Sequence, residues 1–341
     1  MNILFDINHP AHVHYFRNAI AILVSKGHSI TITAREKDVT VPLLRNYQLP
    51  FLVLSKAQKG LWRLGLELII RQLKLLPILI NKKINVCVSA TGACSVHICK
   101  LLGIPTLVFY DTEDATLQNA LSIPFATKYV TPDSYLKKVG KNHITYAGVQ
   151  EMAYLQPKYF QPDNSVLDLL KIHKGEKYIV MRFVAWQAAH DRGETGLSLE
   201  TKRKIIQTLS KHAKIFILSE APLTEEFQPY RFSAPPNKAH DLLYFATLYI
   251  GESATMASES ACLGTPAIYV SSRKLGYVKE GGKYDLIFDL ENDDDILKKA
   301  EEIITHYDQT YWDKKREIFL NHHIDVTQFF VKTILEFGKG K

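Results

Sequence analysis

Ser253, Thr255 and Glu259 follow directly on an apolar run, Leu248–Ile250, and the glycine Gly251. Hydroxyls and a carboxylate in that order are groups that bind phosphate and ribose. Ser253 stands where a helix N-cap is expected, with Ala254 opening the helix. The first turn then presents unpaired N–H groups and the positive end of the dipole, which suit a pyrophosphate. Glu259 comes one helical turn after Thr255 on the same face, where a carboxylate can accept from a ribose 2′,3′-diol. Gly251 allows close backbone approach. A capped connector helix with a solvated glutamate accounts for this stretch equally well.

Three other groupings carry titratable side chains in loops that follow apolar runs. His9, Pro10, Ala11 and His12 come after Ile3–Ile7, with Pro10 fitting the first helical position. A histidine there has the right acidity to act as general base on an acceptor hydroxyl. His14 reads as a packing residue, and a zinc site from His9, His12 and His14 lacks the i, i+4 spacing of a helical metal pair. YDTEDA places Asp111, Glu113 and Asp114 after the run Thr106–Tyr110. They could move a proton or orient sugar hydroxyls, or simply complement a helix N-terminus. In RFVAWQAAHDRG, Arg182 could neutralise a diphosphate with its bidentate fork, and His190 and Asp191 could complete the sugar side. Trp186 there reads as packing or as stacking, and His240 with Asp241 as caps of a short helix. The acidic run ENDDDI precedes a Lys-rich helix, where acidic residues complement the dipole, and is not read as a metal motif.

The elements that must position these groups alternate between strand-like and helix-like runs. The strands are Ile3–Ile7, Ser29–Ala34, Phe51–Leu54, Val86–Ser89, Thr106–Tyr110 and Lys128–Val130, then Tyr178–Val184, Ile215–Ser219, Leu248–Ile250, Ala267–Val270 and Leu286–Phe288. That alternation predicts an α/β architecture with parallel sheets. A chain of 341 residues exceeds a single typical core. The boundaries read as domains 1–155 and 171–310, a linker 156–170 and a terminal helical segment 311–341. SATGACSVHICKLLGIPTLVF and SATMASESACLGTPAIYV share a layout, Ser-Ala-Thr, a short helix, Leu-Gly-x-Pro and a new strand, which suggests a duplicated unit. The Gly supplies a left-handed C-terminal cap, and the Pro after it forbids continuation.

LWRLGLELIIRQLKLLPILI (residues 61–80) has the length of a membrane span. Arg63, Glu67, Arg71 and Lys74 nevertheless recur along one helical face, and four charges make spanning costly. An amphipathic surface helix flanked by Lys59, Lys82 and Lys83 is expected, its apolar side meeting either a bilayer or the core. The net charge of +7 suits an anionic ligand or membrane face, while no basic–aromatic run or zinc finger points to nucleic acid. The N-terminal run has no basic or long apolar region of a signal peptide, and four dispersed cysteines read as buried thiols in a reducing cytosol.

Ser-x-Thr-Met-x-x-Glu-x-x-x-Leu-Gly-Thr-Pro, from Ser253 to Pro266, resembles the nucleotide-sugar site of GT-B glycosyltransferases and of the non-hydrolysing UDP-N-acetylglucosamine 2-epimerases. With FDINHPAHVHYF, YDTEDA and RFVAWQAAHDRG in matching order, the chain is similar to an uncharacterised family of that superfamily, known as a domain of unknown function. The resemblance implies a GT-B-like fold: two Rossmann-type doubly wound parallel-sheet domains facing a central cleft, with the C-terminal helix packing across both. It implies a metal-independent glycosyltransferase without cofactor, taking a nucleoside-diphosphate sugar, UDP-linked, and a polysaccharide or lipid-linked acceptor. The family pattern keeps the counterpart of His12 and often has Pro in place of His9, which favours His12 as base with Asp111 or Glu113 in support. Arg182, His190, Asp191, Ser253, Thr255 and Glu259 would hold the nucleotide sugar. Other GT-B members often carry a glycine-rich loop where this chain has Trp186, His190 and Asp191, so phosphate contact there departs from the pattern. The alternatives are a sugar-nucleotide 2-epimerase and a non-catalytic sugar-nucleotide-binding protein. The expected location is the cytoplasm, at the inner face of the cytoplasmic membrane.

Overall fold

The computed structural model describes residues 1–173, 175–184, 196–219, 222–232 and 235–338. Trp186, His190, Asp191 and Gly193 lie outside the described residues. The chain divides into two compact units, Met1–Tyr154 with Ile324–Lys341, and Leu155–His323. The first unit runs β1 (Asn2–Ile7), α1 (Pro10–Ser25), β2 (Ser29–Glu36), α2 (Thr40–Asn46), β3 (Leu52–Lys56), α3 (Leu61–Asn81), β4 (Val86–Ser89), α4 (Ser95–Leu101), β5 (Thr106–Phe109), α5 (Thr116–Ser122), β6 (Lys128–Pro132) and β7 (His143–Tyr146). Helix α6 (Met152–Leu155) carries the chain onward to α7 (Ser165–Leu170), β8 (Tyr178–Phe183), α8 (Leu199–Leu209), β9 (Lys214–Ser219) and α9 (Ala239–Tyr244). Then come β10 (Leu248–Gly251), α10 (Ala254–Leu263), β11 (Ala267–Tyr269), α11 (Gly276–Gly282), β12 (Ile287–Asp289), α12 (Asp293–Thr305) and α13 (Gln309–Asn321). The chain finally returns to the first unit as α14 (Val326–Gly338). The terminal segment is thus two helices, one belonging to each unit.

Both sheets are parallel. Seven strands run β3-β2-β1-β4-β5-β6-β7, and five run β12-β11-β10-β8-β9. The central strands VCVS and TLVF are buried at every residue, as strands covered on both faces must be. In each sheet the order reverses beside the first strand, between β1 and β4 and between β8 and β10. Loops leaving the carboxyl ends of those strands are where such sheets bind ligands. Strand β7 is the one strand the sequence pattern does not announce; HITY is short, only partly buried and at the sheet edge.

Strands β4 and β10 occupy equivalent places, so the Ser-Ala-Thr echo is topological. Its chemistry is not shared. Ser253 caps α10, its hydroxyl accepting from the Met256 N–H at 3.4 Å. Ser89 instead ends β4, α4 starts only at Ser95, and the Thr91 hydroxyl accepts from Asn8 Nδ2 at 3.0 Å. Gly264 closes α10 in the left-handed region at φ 86°.

Helix α3 turns most of its apolar side outward, one of the two placements its sequence allowed. Two of its four charged side chains turn inward, Glu67 at 5% and Arg71 at 6% exposed, while Arg63 and Lys74 stay exposed. Glu67 accepts a bidentate pair from Arg35 of β2 at 2.7 Å each, a bond from the Ser55 hydroxyl of β3 at 2.6 Å and one from the Gln58 N–H at 3.0 Å. Burial pushes its carboxyl up, but these donors outweigh it and hold it below the ordinary range. Arg71 reaches both oxygens of the fully buried Asp6 in β1 at 3.2 and 3.3 Å and also bonds Asn8. Lys74 donates to the Leu54 carbonyl at 2.8 Å. Polar side chains on β1, β2 and β3 need partners from whatever covers them, and α3 supplies them. Leu75 and Leu79 add the apolar contact to Leu4, Leu54 and Cys87. Rotating the apolar stripe inward would strand these charges, at about 3–5 kcal/mol for each broken buried pair. All four cysteines are free and buried.

Candidate functional site

In the first unit the chemistry gathers at the ends of β1 and β5. His9 is the N-cap of α1, its Nδ1 accepting from the Ala11 N–H at 3.3 Å, with Pro10 next. That start turns His12 back toward the end of β1, where its Nδ1 accepts from the Asn8 N–H at 3.2 Å. His12 is 5% exposed. Burial first, then the positive charges of Lys37 and Arg71, push its pKa down to about 3. The ring is therefore neutral, and because Nδ1 accepts a backbone N–H, its proton sits on Nε2. His12 is built as a hydrogen-bond donor. The expected role of base would require the Nδ1 lone pair that the Asn8 N–H occupies here. His14 stacks on Tyr154 with ring centroids 5.3 Å apart and meets the Tyr47 hydroxyl at 3.4 Å, as a packing residue would. Among the described residues no three His, Cys, Asp or Glu side chains gather to hold a metal ion.

Asp111 and Glu113 follow β5, and neither lies in the first turn of α5, so they do not serve that helix's dipole. Asp111 is 6% and Glu113 3% exposed. Burial foremost raises the Asp111 carboxyl to about 7; the Thr112 hydroxyl, 3.0 Å from Oδ1, works against this, and the charge of Glu113 adds to it. Glu113 Oε1 accepts from the Leu136 N–H at 3.1 Å, and its carbonyl accepts from Lys137 Nζ at 2.7 Å. Behind them Asn119 ties the loop to the aromatic wall. Its amide donates to the Thr112 carbonyl at 3.2 Å and accepts from the Tyr129 hydroxyl at 2.8 Å. A buried carboxyl raised toward neutrality, on a braced loop at a strand's carboxyl end, is a candidate for proton transfer.

In the second unit β8 and β10 lie side by side, with Gly251 registered against Arg182. A Cβ at Gly251 would stand 2.8 Å from the Arg182 carbonyl oxygen and 2.7 Å from the Tyr249 hydroxyl. The glycine is needed for this strand packing. Tyr249 in turn donates to the Ser253 carbonyl at 3.1 Å, bracing the turn into α10. Arg182, Ser253 and Thr255 are half-buried at the ends of β8 and β10 and the start of α10. Helix α10 is rich in Ala and Ser, and Glu259 is buried in it. Its Oε1 meets His240 Nε2, from the first turn of α9, at 3.0 Å. The structure thus brings together Arg182, Ser253, Thr255 and Glu259 on adjoining elements. His190 and Asp191 fall outside the described residues.

Three residues of this half escape sequence reasoning. His240, read as a cap, is the partner that orients Glu259; the pairing joins two helices and leaves no spacing signal. Asp241 likewise caps nothing but accepts from the Asp163 N–H at 2.8 Å. Glu252, directly after β10, is 4% exposed. Its carboxylate accepts from the Val184 N–H at 2.7 Å and the Leu197 N–H at 2.8 Å, with Lys202 Nζ 3.4 Å away. One buried side chain therefore fixes the chain on both sides of residues 185–195. A carboxylate at a strand's exit, beside the Ser253 cap, was the available hint.

Comparison with known proteins agrees with this architecture. The chain is 26% identical over 281 residues to the uncharacterized protein MJ0665 of Methanocaldococcus jannaschii, covering 79% of this chain and 81% of that protein. The UDP-GlcNAc 2-epimerase of Neisseria meningitidis, solved bound to UDP-GlcNAc, is similar in structure with a TM-score of 0.68 at 11% identity, covering 98% of this chain and all of that one (100%). A glycosyltransferase of Rickettsia africae ESF-5 gives 0.62 at 12% identity, covering 100% and 99%. Likeness at such identities shows the fold, that of the superfamily shared by GT-B glycosyltransferases and these epimerases. The family described as Protein of unknown function (DUF354) matches residues 1–336, and the chain, with its two parallel sheets and polar strand ends, belongs to it.

Proposed function

We propose that the protein is a metal-independent glycosyltransferase, moving a sugar from a UDP-linked donor to a polysaccharide or lipid-linked acceptor at the inner face of the cytoplasmic membrane. The observation that carries this reading is Asp111, a buried carboxyl with a pKa of about 7 at the end of β5. Such a group takes the proton of an acceptor hydroxyl as its oxygen attacks the anomeric carbon. The bond from that carbon to the diphosphate breaks, and its electron pair leaves with the nucleotide. His12 serves here as a donor to a sugar or acceptor oxygen, with Nε2–H set in advance by Asn8. Glu113 supports Asp111 by opposing its ionisation.

The second unit takes the donor. Arg182, Ser253, Thr255 and the N-terminus of α10 receive the diphosphate, and their positive ends neutralise the leaving group without a metal. Glu259, oriented by His240, accepts from the ribose. His190 and Asp191, outside the described residues, are assigned to the sugar by the resemblance alone.

A second reading, a UDP-N-acetylglucosamine 2-epimerase, draws on the same loop: Asp111 and Glu113 as a pair would give and take a proton at C2. Incubation with UDP-N-acetylglucosamine and EDTA, with and without a glycan or polyprenyl-phosphate acceptor, separates the two. Transfer reads out as UDP release that requires acceptor and survives EDTA. An epimer formed without acceptor overturns the transferase, and tight UDP binding with no turnover in either arm overturns both enzymes.

A further inference from the structure

We propose that the outward face of α3 docks the first unit on an anionic lipid surface, lying in the plane of the headgroups. This inference does not rest on the sugar-nucleotide reading. Trp62, Leu66, Ile69, Ile70, Leu73 and Ile80 are exposed by 94, 60, 54, 39, 64 and 56%. Their positions follow the helical repeat, so with the exposed Pro77 they form one stripe along a 21-residue helix about 30 Å long. A soluble surface rarely leaves so long an apolar band uncovered.

The stripe cannot turn inward, because the opposite face of α3 is held by the Glu67–Arg35 and Arg71–Asp6 pairs and by Lys74 on the Leu54 carbonyl. Its charge pattern selects the partner. The one acidic side chain of α3, Glu67, faces the core, while Arg63 borders the stripe and Lys59, Lys82 and Lys83 stand exposed at its two ends. The unit around it is strongly basic: Met1–Tyr154 with Ile324–Lys341 carries 20 Lys and Arg against 11 Asp and Glu, a net +9. Leu155–His323 carries 22 against 24, a net −2. Apolar side chains on one face, basic groups around them and an interfacial tryptophan are the features of a helix that enters the headgroup region without crossing it. Among the described residues no helix is long and apolar enough to cross a membrane.

The test is flotation of the full chain with vesicles of phosphatidylcholine alone and of phosphatidylcholine mixed with phosphatidylglycerol. Binding should be on the order of 10-fold stronger to the anionic vesicles and fall with added salt. Trp62 emission should shift to the blue on binding, a change lost in Trp62→Phe. A variant carrying Leu66→Gln, Ile69→Gln and Leu73→Gln alters only exposed side chains and should keep its circular dichroism and melting temperature but not float. Lys82→Gln with Lys83→Gln should weaken flotation at low salt only. Equal flotation of the triple variant overturns the proposal. So does absence of flotation together with a concentration-dependent dimer that the triple variant abolishes, which would assign the stripe to a second copy of the chain.

Discussion

The two units share an architecture and differ in charge, in one insertion and in the extra edge strand β7. Each carries a parallel sheet whose order reverses beside its first strand. The first unit places β3 and α3 between its second strand and the strand across the reversal; at the same point the second unit has, among its described residues, only α9 and short turns. The positive surplus of the whole chain belongs to the unit with that insertion, while the unit proposed to hold a diphosphate has a net charge of −2. On the proposed reading, overall basicity is a poor guide to where the phosphates bind. A diphosphate needs a few oriented donors, proposed here to be Arg182 and the start of α10, rather than a basic field. The basic field belongs to the other unit.

If the units divide their tasks this way, substitutions in each should fail differently. Asp111→Asn should lower kcat by about 10²- to 10⁴-fold, with nucleotide affinity unchanged by calorimetric titration. A parallel loss of affinity would break the division. Glu259→Ala should weaken UDP binding by roughly 10- to 100-fold, the worth of a hydrogen bond to a charged group, and should leave vesicle flotation untouched. Gly251→Ala forces a methyl against the Arg182 backbone and Tyr249, and should destabilise the second unit by about 1–3 kcal/mol in thermal unfolding. The smallest effect is a pH dependence of the first unit. The Asp111 carboxyl sits above its unfolded value, so its contribution is greatest below an ordinary carboxylate pKa and is lost as pH rises through about 7. Asp111→Asn should therefore melt higher than wild type at pH 8, on the order of 1 kcal/mol, with the gap closing toward pH 4. His12 works in the opposite sense, its contribution fading as pH falls from 6.5 toward 3.

Strands were legible in the sequence because buried parallel strands are near-continuous apolar runs, and the α10 stop because only glycine suits φ 86° there. Orientation was not. The repeat in residues 61–80 says which side chains share a face, and only Asp6, Arg35 and Ser55, distant in sequence, decide which face goes in. What His12 presents to its surroundings was hidden for a similar reason. Its tautomer is set by a backbone N–H, a group every residue but proline carries. Glu259 could be picked out, whereas its partner His240 could not, since the pairing spans two helices.

The return of α14 to the first unit has a consequence for how the chain is made. Phe330 is fully buried there, its ring 4.3 Å from that of Phe109 and 6.1 Å from that of Phe16, and the Thr327 hydroxyl bonds the Ala153 carbonyl. During synthesis, residues 1–154 emerge first but lack this wedge until residues 326–338 leave the ribosome. The second unit, translated in between, is complete earlier. The half made first is finished last, and its exposed aromatic floor is the surface a chaperone would meet on the nascent chain.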